Sequence, residues 1–324
     1  MLWKNKMRLL ITWWAWFVAS NITKTLLERW HNIVWIDNFV LWKREYIEKF
    51  QDNQNYKFYE LDLLNLNEIV PLFEWIELVV HLAANSDISK WAKYTDIDLN
   101  IGTKATYNVL EAMRLNNVKQ LIFASTSAIY WIAKQVPTGE DAWPLFPISL
   151  YWASKLACEW LISAFSHNYW IQAWIYRFWN VIWRNATHWA AYDFVNKLKN
   201  NSNELTILWD WKQAKPYIYI DDLIDWILYW YKNSNDDINY FNLCPSWKTC
   251  VTFIAESIIM HMWLENVKLN YTWWQQWWKW DVPQVELDNR KLWKLWRYPK
   301  YNSENAVIQW TRDIVDQIYF WKNI

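Results

Sequence analysis

Residues 9–21, with the sequence LLITWWAWFVASN, decide how the rest of the chain is interpreted. Three basic residues precede this apolar stretch, which is also the layout of a secretory signal peptide. The chain that follows continues into a regular alternation of strands and helices, so we interpret residues 9–21 as a first strand, a turn and a first helix. A turn of this kind usually contains glycine, yet here it carries Trp13, Trp14 and Trp16.

The chain contains almost no glycine. Its 324 residues include 2 Gly and 33 Trp, whereas Gly makes up about 7% of an average protein. Many of the Trp residues stand where a strand or helix is expected to end, as Trp30, Trp131 and Trp209 do, and glycine is favoured at such positions. We hypothesise that glycine occupies most of these positions in the working protein, as happens when UGA codons that specify glycine are translated as tryptophan.

The hydrophobic pattern of the first half predicts alternating strands and helices. The predicted strands are Met7–Thr12, Ile33–Asp37, Lys57–Leu61, Leu78–Ala83, Gln120–Ser125 and Gln172–Tyr176. The predicted helices are Trp16–Trp30, Leu66–Phe73, Ile101–Asn116, Tyr151–Asn168 and Ala191–Asn200. This alternation is typical of an α/β fold with a Rossmann-type, doubly wound parallel sheet. The pattern loosens after residue 180, so we predict a Rossmann domain over residues 1–180 and a smaller C-terminal α/β lobe over 181–324, with part of the chain crossing back to the sheet.

Charge and cysteine content exclude several classes of partner. The 33 basic and 33 acidic residues balance, so we expect neither nucleic acid nor an anionic membrane surface as a partner. No apolar run reaches the roughly 18 residues of a membrane span. Cys158, Cys244 and Cys250 include no close metal-ligand pair. We therefore expect a cytoplasmic protein with reduced thiols and no metal site.

The first turn and the strand ends after it predict a dinucleotide site. With glycine in place of tryptophan, residues 12–18 become TGGAGFV, a turn whose backbone N–H groups and following helix N-terminus can hold a pyrophosphate. Asp37 ends the second strand, where a carboxylate binds ribose hydroxyls and repels a 2′-phosphate, which favours NAD over NADP. Asp62 is placed to bind adenine, and the small residues of HLAAN (81–85) leave room for the dinucleotide. The predicted cofactor-binding residues here are Trp13, Trp16, Phe17, Val18, Asp37, Asn38, Asp62, Leu63, Ala83 and Ala84.

Two further motifs predict an acid–base centre. FASTSAIY (123–130) ends a strand, and YWASK (151–155) begins a helix. Tyr151 and Lys155 are four residues apart and share one helix face. An ammonium beside a phenol lowers the pKa of the phenol, so Tyr151 is predicted to act as a general base toward a sugar hydroxyl, with Thr126 sharing the hydrogen bond.

Taken together, these motifs resemble the extended short-chain dehydrogenase/reductases, and most closely the nucleotide-sugar 4-epimerases of the UDP-glucose 4-epimerase type. The resemblance runs nearly from end to end, and most glycines of the family's motifs stand here as Trp. Beyond the motifs already quoted it covers NIGTKATYNVLEAMR (100–114), YRFWNVIW (176–183), YIYIDDL (217–223) and WDVPQVELDNRKLWKLW (280–296).

The resemblance implies an NAD-binding Rossmann domain, a nucleotide-sugar-binding lobe and epimerisation through a transient 4-keto sugar. Thr126, Tyr151 and Lys155 would be catalytic, and Asn100 would lie at the cofactor together with Tyr151 and Lys155. The substrate, most simply a UDP-sugar, would be bound by Thr126, Asn180, Lys215, Tyr217 and Lys279. A homodimer would form through the helices predicted at 101–116 and 151–168.

Other outcomes stay open at the level of the sequence. The family often has Arg where this chain has Lys279, and many members have Pro where it has Leu150, which leaves the sugar and the nucleotide undecided. A dehydratase, a decarboxylase or a reductase of the same superfamily is the alternative, although dehydratases carry an Asp-Glu pair where this chain has Ser127 and Ala128. If the tryptophans are literal, three indoles fill the space of the pyrophosphate, and the chain is an inactive relative without cofactor.

Overall fold

The computed structural model describes residues 5–12, 16–40, 44–85, 94–130, 133–184, 189–208, 214–245, 247–272, 286–294 and 298–320. The chain divides into two compact units. The first unit contains residues 1–131, 143–178 and 224–242, and the second contains residues 132–142, 179–223 and 243–324. The predicted boundary at residue 180 lies close to residue 179, where the chain enters the stretch 179–223 of the second unit. The segment 224–242 then returns to the first unit.

A seven-stranded sheet forms the centre of the first unit. Its strands are β1 (Arg8–Thr12), β2 (Asn32–Asp37), β3 (Tyr56–Glu60), β4 (Leu78–His81), β5 (Gln120–Thr126), β6 (Gln172–Phe178) and β11 (Ile238–Leu243). Their order is β11-β6-β5-β4-β1-β2-β3, and each neighbouring pair from β6 through β3 is parallel. This order reverses between β1 and β4, which is the hallmark of a doubly wound sheet. The predicted Rossmann-type fold class is therefore confirmed.

Helices connect these strands, and those that begin at residues 16, 66 and 150 lie close to predicted helices, whereas those at 45–48 and 220–233 were not predicted. They are α1 (Trp16–Glu28), α2 (Glu45–Glu48), α3 (Leu66–Ile69), α4 (Ala105–Leu115), α5 (Leu150–Tyr169) and α7 (Ile220–Asn233), the last of which begins in the second unit. A 3-10 turn continues α3 over Val70–Phe73, and a second one, Ser127–Tyr130, follows β5. The turns before α4 differ from the prediction, because Leu99–Lys104 form a π-helix.

Burial explains why the sheet assembles in this way. Leu78, Val79 and Val80 of β4 are completely buried, as expected for a central parallel strand that is covered on both faces. One continuous core packs residues of five strands against α4 and α5, with Val109, Met113 and Ile162 completely buried. The carboxyl ends of the strands consequently lie along one edge, where the predicted site residues follow them.

The second unit is a smaller α/β arrangement. Its strands are β7 (Asn180–Ile182), β8 (Glu204–Ile207), β9 (Ala214–Lys215), β10 (Tyr217–Tyr219), β12 (Thr249–Cys250) and β13 (Lys268–Tyr271). They form three short pairs, β7 with β10, β8 with β13 and β9 with β12. Its helices are α6 (Ala190–Asn200), α8 (Val251–His261), α9 (Arg290–Trp293) and α10 (Ser303–Val315), followed by a π-helix over Asp316–Phe320. Across both units, no helix of the described residues is long and apolar enough to cross a membrane.

Several tryptophans adopt a backbone conformation that suits glycine. The residues with positive φ in the described parts of the chain are Trp30, Phe39, Trp75, Asn117, Trp170, Trp189, Trp263 and Asn266. Trp thus accounts for most of them, although the left-handed region costs a residue with a Cβ about 1–2 kcal/mol. The indoles of Trp30, Trp75, Trp170 and Trp263 are also more than two-thirds exposed, so packing does not offset this cost. These positions support the hypothesis of glycine in the working protein.

Buried tryptophans add a second, independent signal. The indole Nε1 atoms of Trp179, Trp226, Trp230 and Trp310 are buried and have no hydrogen-bond partner in the structure. A buried N–H without a partner costs about 1–3 kcal/mol. Native cores rarely accumulate such groups, since buried tryptophans normally find an acceptor. Both observations indicate that these positions were not selected for an indole.

Helix α5 offers a direct stability test of this idea. Trp170 ends α5 with φ 54° and ψ 44°, whereas Trp160 lies inside the same helix and is 56% exposed. We expect Trp170→Gly to raise the free energy of unfolding by about 1 kcal/mol, because it relieves the left-handed strain. Trp160→Gly is the matched control and is expected to lower it by about 1 kcal/mol, since glycine weakens a helix interior. Chemical denaturation of both variants measures the difference, and a loss of stability in both contradicts the interpretation of Trp170.

Candidate active site

The start of α5 places the predicted acid–base pair. Ser149 caps the helix, since its Oγ accepts a hydrogen bond from the Trp152 N–H at 3.1 Å. Lys155 is 3% exposed, and its Nζ donates to the carbonyl of Ala124 at 2.7 Å. The ammonium also lies 4.7 Å from the centre of the Phe123 ring. These contacts dock the catalytic face of α5 on the carboxyl end of β5, as predicted.

Burial dominates the electrostatics of the pair. It lowers the pKa of Lys155 to about 8, although the nearby thiol of Cys158 and the carboxylates of Glu159 and Asp98 oppose the shift. Burial also raises the pKa of Tyr151 well above its ordinary value, and the charge of Asp98 raises it further. The prediction that Lys155 lowers the pKa of Tyr151 is therefore wrong for the protein alone. Additional positive charge beside the phenol is needed before Tyr151 can lose its proton near neutral pH.

The hydroxyl side chains that end β5 have distinct environments. Ser125 and Ser127 are both 2% exposed, and Thr126 between them is half-buried. The Ser125 hydroxyl donates to the Glu159 carboxylate, and the Ser127 hydroxyl donates to the Phe178 carbonyl at 3.3 Å. Thr126 Oγ1 accepts from the Ala128 N–H at 3.1 Å, which fixes its rotamer. Of the three hydroxyls, that of Thr126 is the one accessible to a ligand.

A buried ion pair that the sequence did not predict supports this strand end. Arg177 at the end of β6 contacts Glu159 through Nη2 at 2.6 Å and through Nε at 3.0 Å. Its Nη1 donates to the Tyr130 hydroxyl at 2.7 Å, and that hydroxyl donates to Asn242 Oδ1 at 2.8 Å. Because Glu159 lies one turn after Lys155, the pair ties α5 to β5 and β6 below the catalytic face. The signal in the sequence was the Glu four residues after Lys155, but its partner is known only from the fold.

The residues predicted to bind the adenosine lie at the ends of β2 and β3. Asp37 ends β2, is 8% exposed and accepts the Phe39 N–H at 2.5 Å. Burial raises the pKa of Asp37 to about 7, and the Phe39 N–H opposes the shift. The Asn38 amide donates to Asp62 Oδ2 at 3.1 Å, and Asp62 Oδ1 accepts the Leu64 N–H at 2.8 Å. Two carboxylates and an amide at adjacent strand ends fit an unphosphorylated ribose, so the donor set of this site fits NAD.

The apolar members of the predicted cofactor site lie beside it. Leu63, Ala83 and Ala84 are at most 9% exposed, and the small residues follow β4 as expected. Val18 is completely buried in α1, and Phe17 before it is half-buried. Trp13 lies outside the described residues. Trp16 begins α1, and its side chain is outside the description as well. The phosphate-turn prediction therefore stays a prediction.

Asn100 lies before α4, and its predicted contact with the cofactor stays a prediction. Its amide donates to Asp96 Oδ2 at 3.1 Å in an exposed position. Asp98 is 1% exposed instead, and its charge acts on both Tyr151 and Lys155. The structure therefore places Asp98, to which no sequence motif pointed, near Tyr151 and Lys155.

The second unit brings three of the predicted substrate residues together. Asn180 begins β7 and is paired in register with Tyr217, the first residue of β10. The Asn180 amide donates to the carbonyl of Pro216 at 3.5 Å, and Lys215 immediately precedes this proline at the end of β9. Tyr217 is 7% exposed, and its N–H donates to the Ser303 hydroxyl at 3.1 Å. Lys279 lies outside the described residues.

Comparison with known proteins agrees with this arrangement. The family model described as "NAD dependent epimerase/dehydratase family" matches residues 9–244, which is most of the chain. The chain belongs to this family. The matched residues include every catalytic residue predicted above, and the family's dependence on NAD agrees with the ribose site at Asp37. NAD is accordingly the cofactor, and the predicted membership of the nucleotide-sugar epimerases is confirmed at the level of the family.

Two individual members of the NAD dependent epimerase/dehydratase family share less than 30% sequence identity with this chain. GDP-mannose 3,5-epimerase 1 of Oryza sativa subsp. japonica is 26% identical over 235 residues, which are 69% of this chain and 61% of that protein. UDP-glucuronate 4-epimerase of Thermodesulfobacterium geofontis (strain OPF15) is 28% identical over 222 residues, which are 66% of this chain and 68% of that protein. The match to the rice protein thus spans less than two-thirds of its length.

Solved structures extend the similarity to nearly the whole chain. A crystal structure of UDP-galactose 4-epimerase has a TM-score of 0.82 at 27% identity and covers 97% of this chain and 100% of that chain. A crystal structure of UDP-glucose 4-epimerase with UDP-glucose from Thermotoga maritima has a TM-score of 0.84, covering 96% of this chain and 100% of that chain. At 24% identity the second similarity concerns the fold alone. The relatives together indicate a nucleotide-sugar epimerase or dehydratase and do not decide the substrate.

Proposed function

We propose that this protein is an NAD-dependent nucleotide-sugar 4-epimerase of the UDP-glucose/UDP-galactose type. The observation that carries the proposal is the bond from Lys155 Nζ to the carbonyl of Ala124, which holds Tyr151 and Lys155 against the strand end that carries Thr126. An oxidation and reduction of a sugar hydroxyl needs a base, a cation and a hydroxyl donor at one place. The ribose site at Asp37 and the family's dependence on NAD supply the partner for that chemistry.

The chain's own residues account for the proton transfers. Bound NAD supplies a hydride acceptor that can return the hydride to the sugar. Tyr151 removes the proton from the sugar 4-OH, and Thr126 holds the same oxygen. Lys155 binds beside them, and positive charge beyond that of Lys155 is needed for Tyr151 to lose its proton, because burial raises the pKa of the phenol. After the 4-keto sugar has turned in the pocket, Tyr151 returns the proton to O4.

Binding of the nucleotide provides the anchor for this rotation. We assign Asn180, Lys215, Tyr217 and Lys279 to the nucleotide-sugar, with a UDP-sugar as the substrate. Binding energy from the nucleotide, which is remote from C4, can hold the substrate while its sugar ring stays free to turn. The wider proposal includes a cytoplasmic homodimer that pairs α4 and α5 of two copies.

Three alternatives follow from the relatives and from the residues. A dehydratase, a decarboxylase or a reductase would use the same pair of Tyr151 and Lys155, but Ser127 and Ala128 offer no acid for the elimination of water. The relatives that act on UDP-glucuronate and GDP-mannose point to other nucleotide-sugars. If the indoles at the turn are literal, the chain is a relative without cofactor.

A substrate panel separates these outcomes. We call the chain with glycine at positions 13, 14 and 16 the glycine-turn variant. This variant is incubated with NAD and with UDP-galactose, UDP-glucuronate or GDP-mannose. We expect UDP-glucose to form from UDP-galactose without net NADH. Conversion of UDP-glucuronate or GDP-mannose alone would overturn the assigned substrate. A stable keto sugar or stoichiometric NADH would instead overturn epimerisation.

A further inference from the structure

Asp98 is a buried carboxylate that lacks well-formed hydrogen bonds. It is 1% exposed, and neither Oδ1 nor Oδ2 has a donor in good hydrogen-bond geometry within the described residues. The Asn85 side chain interacts with the carboxylate and favours its charged form, as the charge of Lys155 does, but burial outweighs both and raises the pKa of Asp98. A buried carboxylate without donors is strongly unfavourable, so such a group indicates a ligand that supplies them.

The position of Asp98 relative to α5 is fixed by Ser154. The Ser154 hydroxyl donates to the carbonyl oxygen of Asp98 at 2.7 Å. Ser154 lies between Tyr151 and Lys155 on the first turns of α5, and the charge of Asp98 acts on both of those residues. The Asp98 carboxylate therefore belongs to the same site as the catalytic pair.

A close approach of two helices makes this arrangement possible. The π-helix Leu99–Lys104 begins immediately after Asp98, and π-turns are frequent at functional sites. A Cβ on Gly102 would lie 2.2 Å from Ser154 Oγ, so only glycine fits there without displacing the serine. Thr103 Oγ1 lies 3.0 Å from the same Ser154 Oγ and completes the contact. In this arrangement the Asn100 amide donates a hydrogen bond to Asp96 at the surface. Asp98, between them in sequence, is buried.

We propose that Asp98 accepts hydrogen bonds from adjacent hydroxyls of a sugar ring held beside Tyr151 and Lys155. This inference rests on the proposed function, because both NAD and a nucleotide-sugar bring such hydroxyls. Two carboxylate oxygens match two neighbouring O–H donors, and a charged acceptor makes the stronger kind of hydrogen bond. A phosphate or a carboxylate group would be repelled from the same position.

Binding of ligand fragments tests the proposal independently of turnover. Asp98→Asn is made in the glycine-turn variant, and dissociation constants are measured by calorimetry for two pairs of ligands. The first pair is ADP-ribose and ADP, and the second is UDP-galactose and UDP. We expect Asp98→Asn to weaken the sugar-bearing member of one pair about tenfold, because an amide keeps one acceptor and loses the charge. The bare diphosphate of that pair should bind as before.

The pattern of losses identifies the source of the hydroxyls. A loss for ADP-ribose assigns Asp98 to the cofactor ribose, and a loss for UDP-galactose assigns it to the substrate sugar. Asp52→Asn is the matched control, since it makes the same change at an exposed position outside the predicted site and should leave all four constants unchanged. The role of Asp98 would be overturned if Asp98→Asn and its parent had equal dissociation constants. It would also be overturned if ADP and UDP lost as much affinity as the sugar-bearing ligands. If the parent binds neither sugar-bearing ligand, the proposed function fails together with this inference.

Discussion

Replacing Trp13, Trp14 and Trp16 with glycine is expected to convert a chain that does not bind NAD into one that does. The turn between β1 and α1 must bring backbone N–H groups against a pyrophosphate, and an indole occupies the volume that the phosphates need. Asp37 and Asp62, which are predicted to bind the ribose and the adenine, already lie at adjacent strand ends. The change is therefore expected to be close to all-or-none.

Calorimetric titration with NAD measures this change. The glycine-turn variant should bind NAD with a dissociation constant in the micromolar range or tighter, corresponding to about 8 kcal/mol or more. A control variant carries glycine at Trp143, Trp160 and Trp247, which are exposed and lie outside the turn. Equal binding by the original chain, or by the control variant alone, would contradict a glycine turn. Peptide mass spectrometry of the protein from its own host provides a second check, because it should find glycine at positions 13 and 16.

Tyr151→Phe in the glycine-turn variant is expected to lower kcat by about 100- to 10,000-fold, the usual contribution of a general base. The variant keeps the aromatic ring, so packing and the hydrogen bond from Lys155 to the Ala124 carbonyl should remain. NAD should stay bound with nearly the same dissociation constant, since one hydroxyl is a small part of the cofactor's contacts. The measurement combines a turnover assay with the NAD titration.

The control for this variant lies on the same helix. Tyr169→Phe removes a hydroxyl from the last residue of α5, which is 38% exposed and far along the helix from the catalytic turn. Its turnover should be unchanged. If Tyr151→Phe retains the activity of its parent, Tyr151 is not the base. If it loses NAD as well as turnover, the effect is one of cofactor binding rather than of proton transfer.

Local rules predicted the sheet and the catalytic pair. Strand β4 begins with three apolar residues, Leu78 to Val80, and Tyr151 and Lys155 differ by one helical turn, so the strand and the shared face both follow from the local sequence. Asp37 was found because it ends a strand at the expected distance from the first turn. Such features depend on neighbours in sequence, and short-range physics determines them.

The features that were missed depend on contacts between distant segments. Arg177 meets Glu159 only after β6 has been placed beside β5. Asp98 reaches the catalytic pair through a π-helix and through the contact of Gly102 with Ser154, and no periodicity predicts either. The predicted role of Asn100 came from the family resemblance and stays a prediction. The pKa of Tyr151 was misjudged because burial and the charge of Asp98 both raise it, and neither follows from the spacing of Tyr151 and Lys155.

The fate of the hydrogen on C4 tests the account most directly. The glycine-turn variant is given NAD and UDP-galactose that carries deuterium at C4, and the products are analysed by NMR and mass spectrometry. A 4-epimerase that takes the hydrogen from C4 and returns it to C4 should yield UDP-glucose with deuterium retained at that carbon and no net NADH. Loss of deuterium to solvent, accumulation of a keto sugar, or no conversion while NAD is bound would contradict the proposed 4-epimerase.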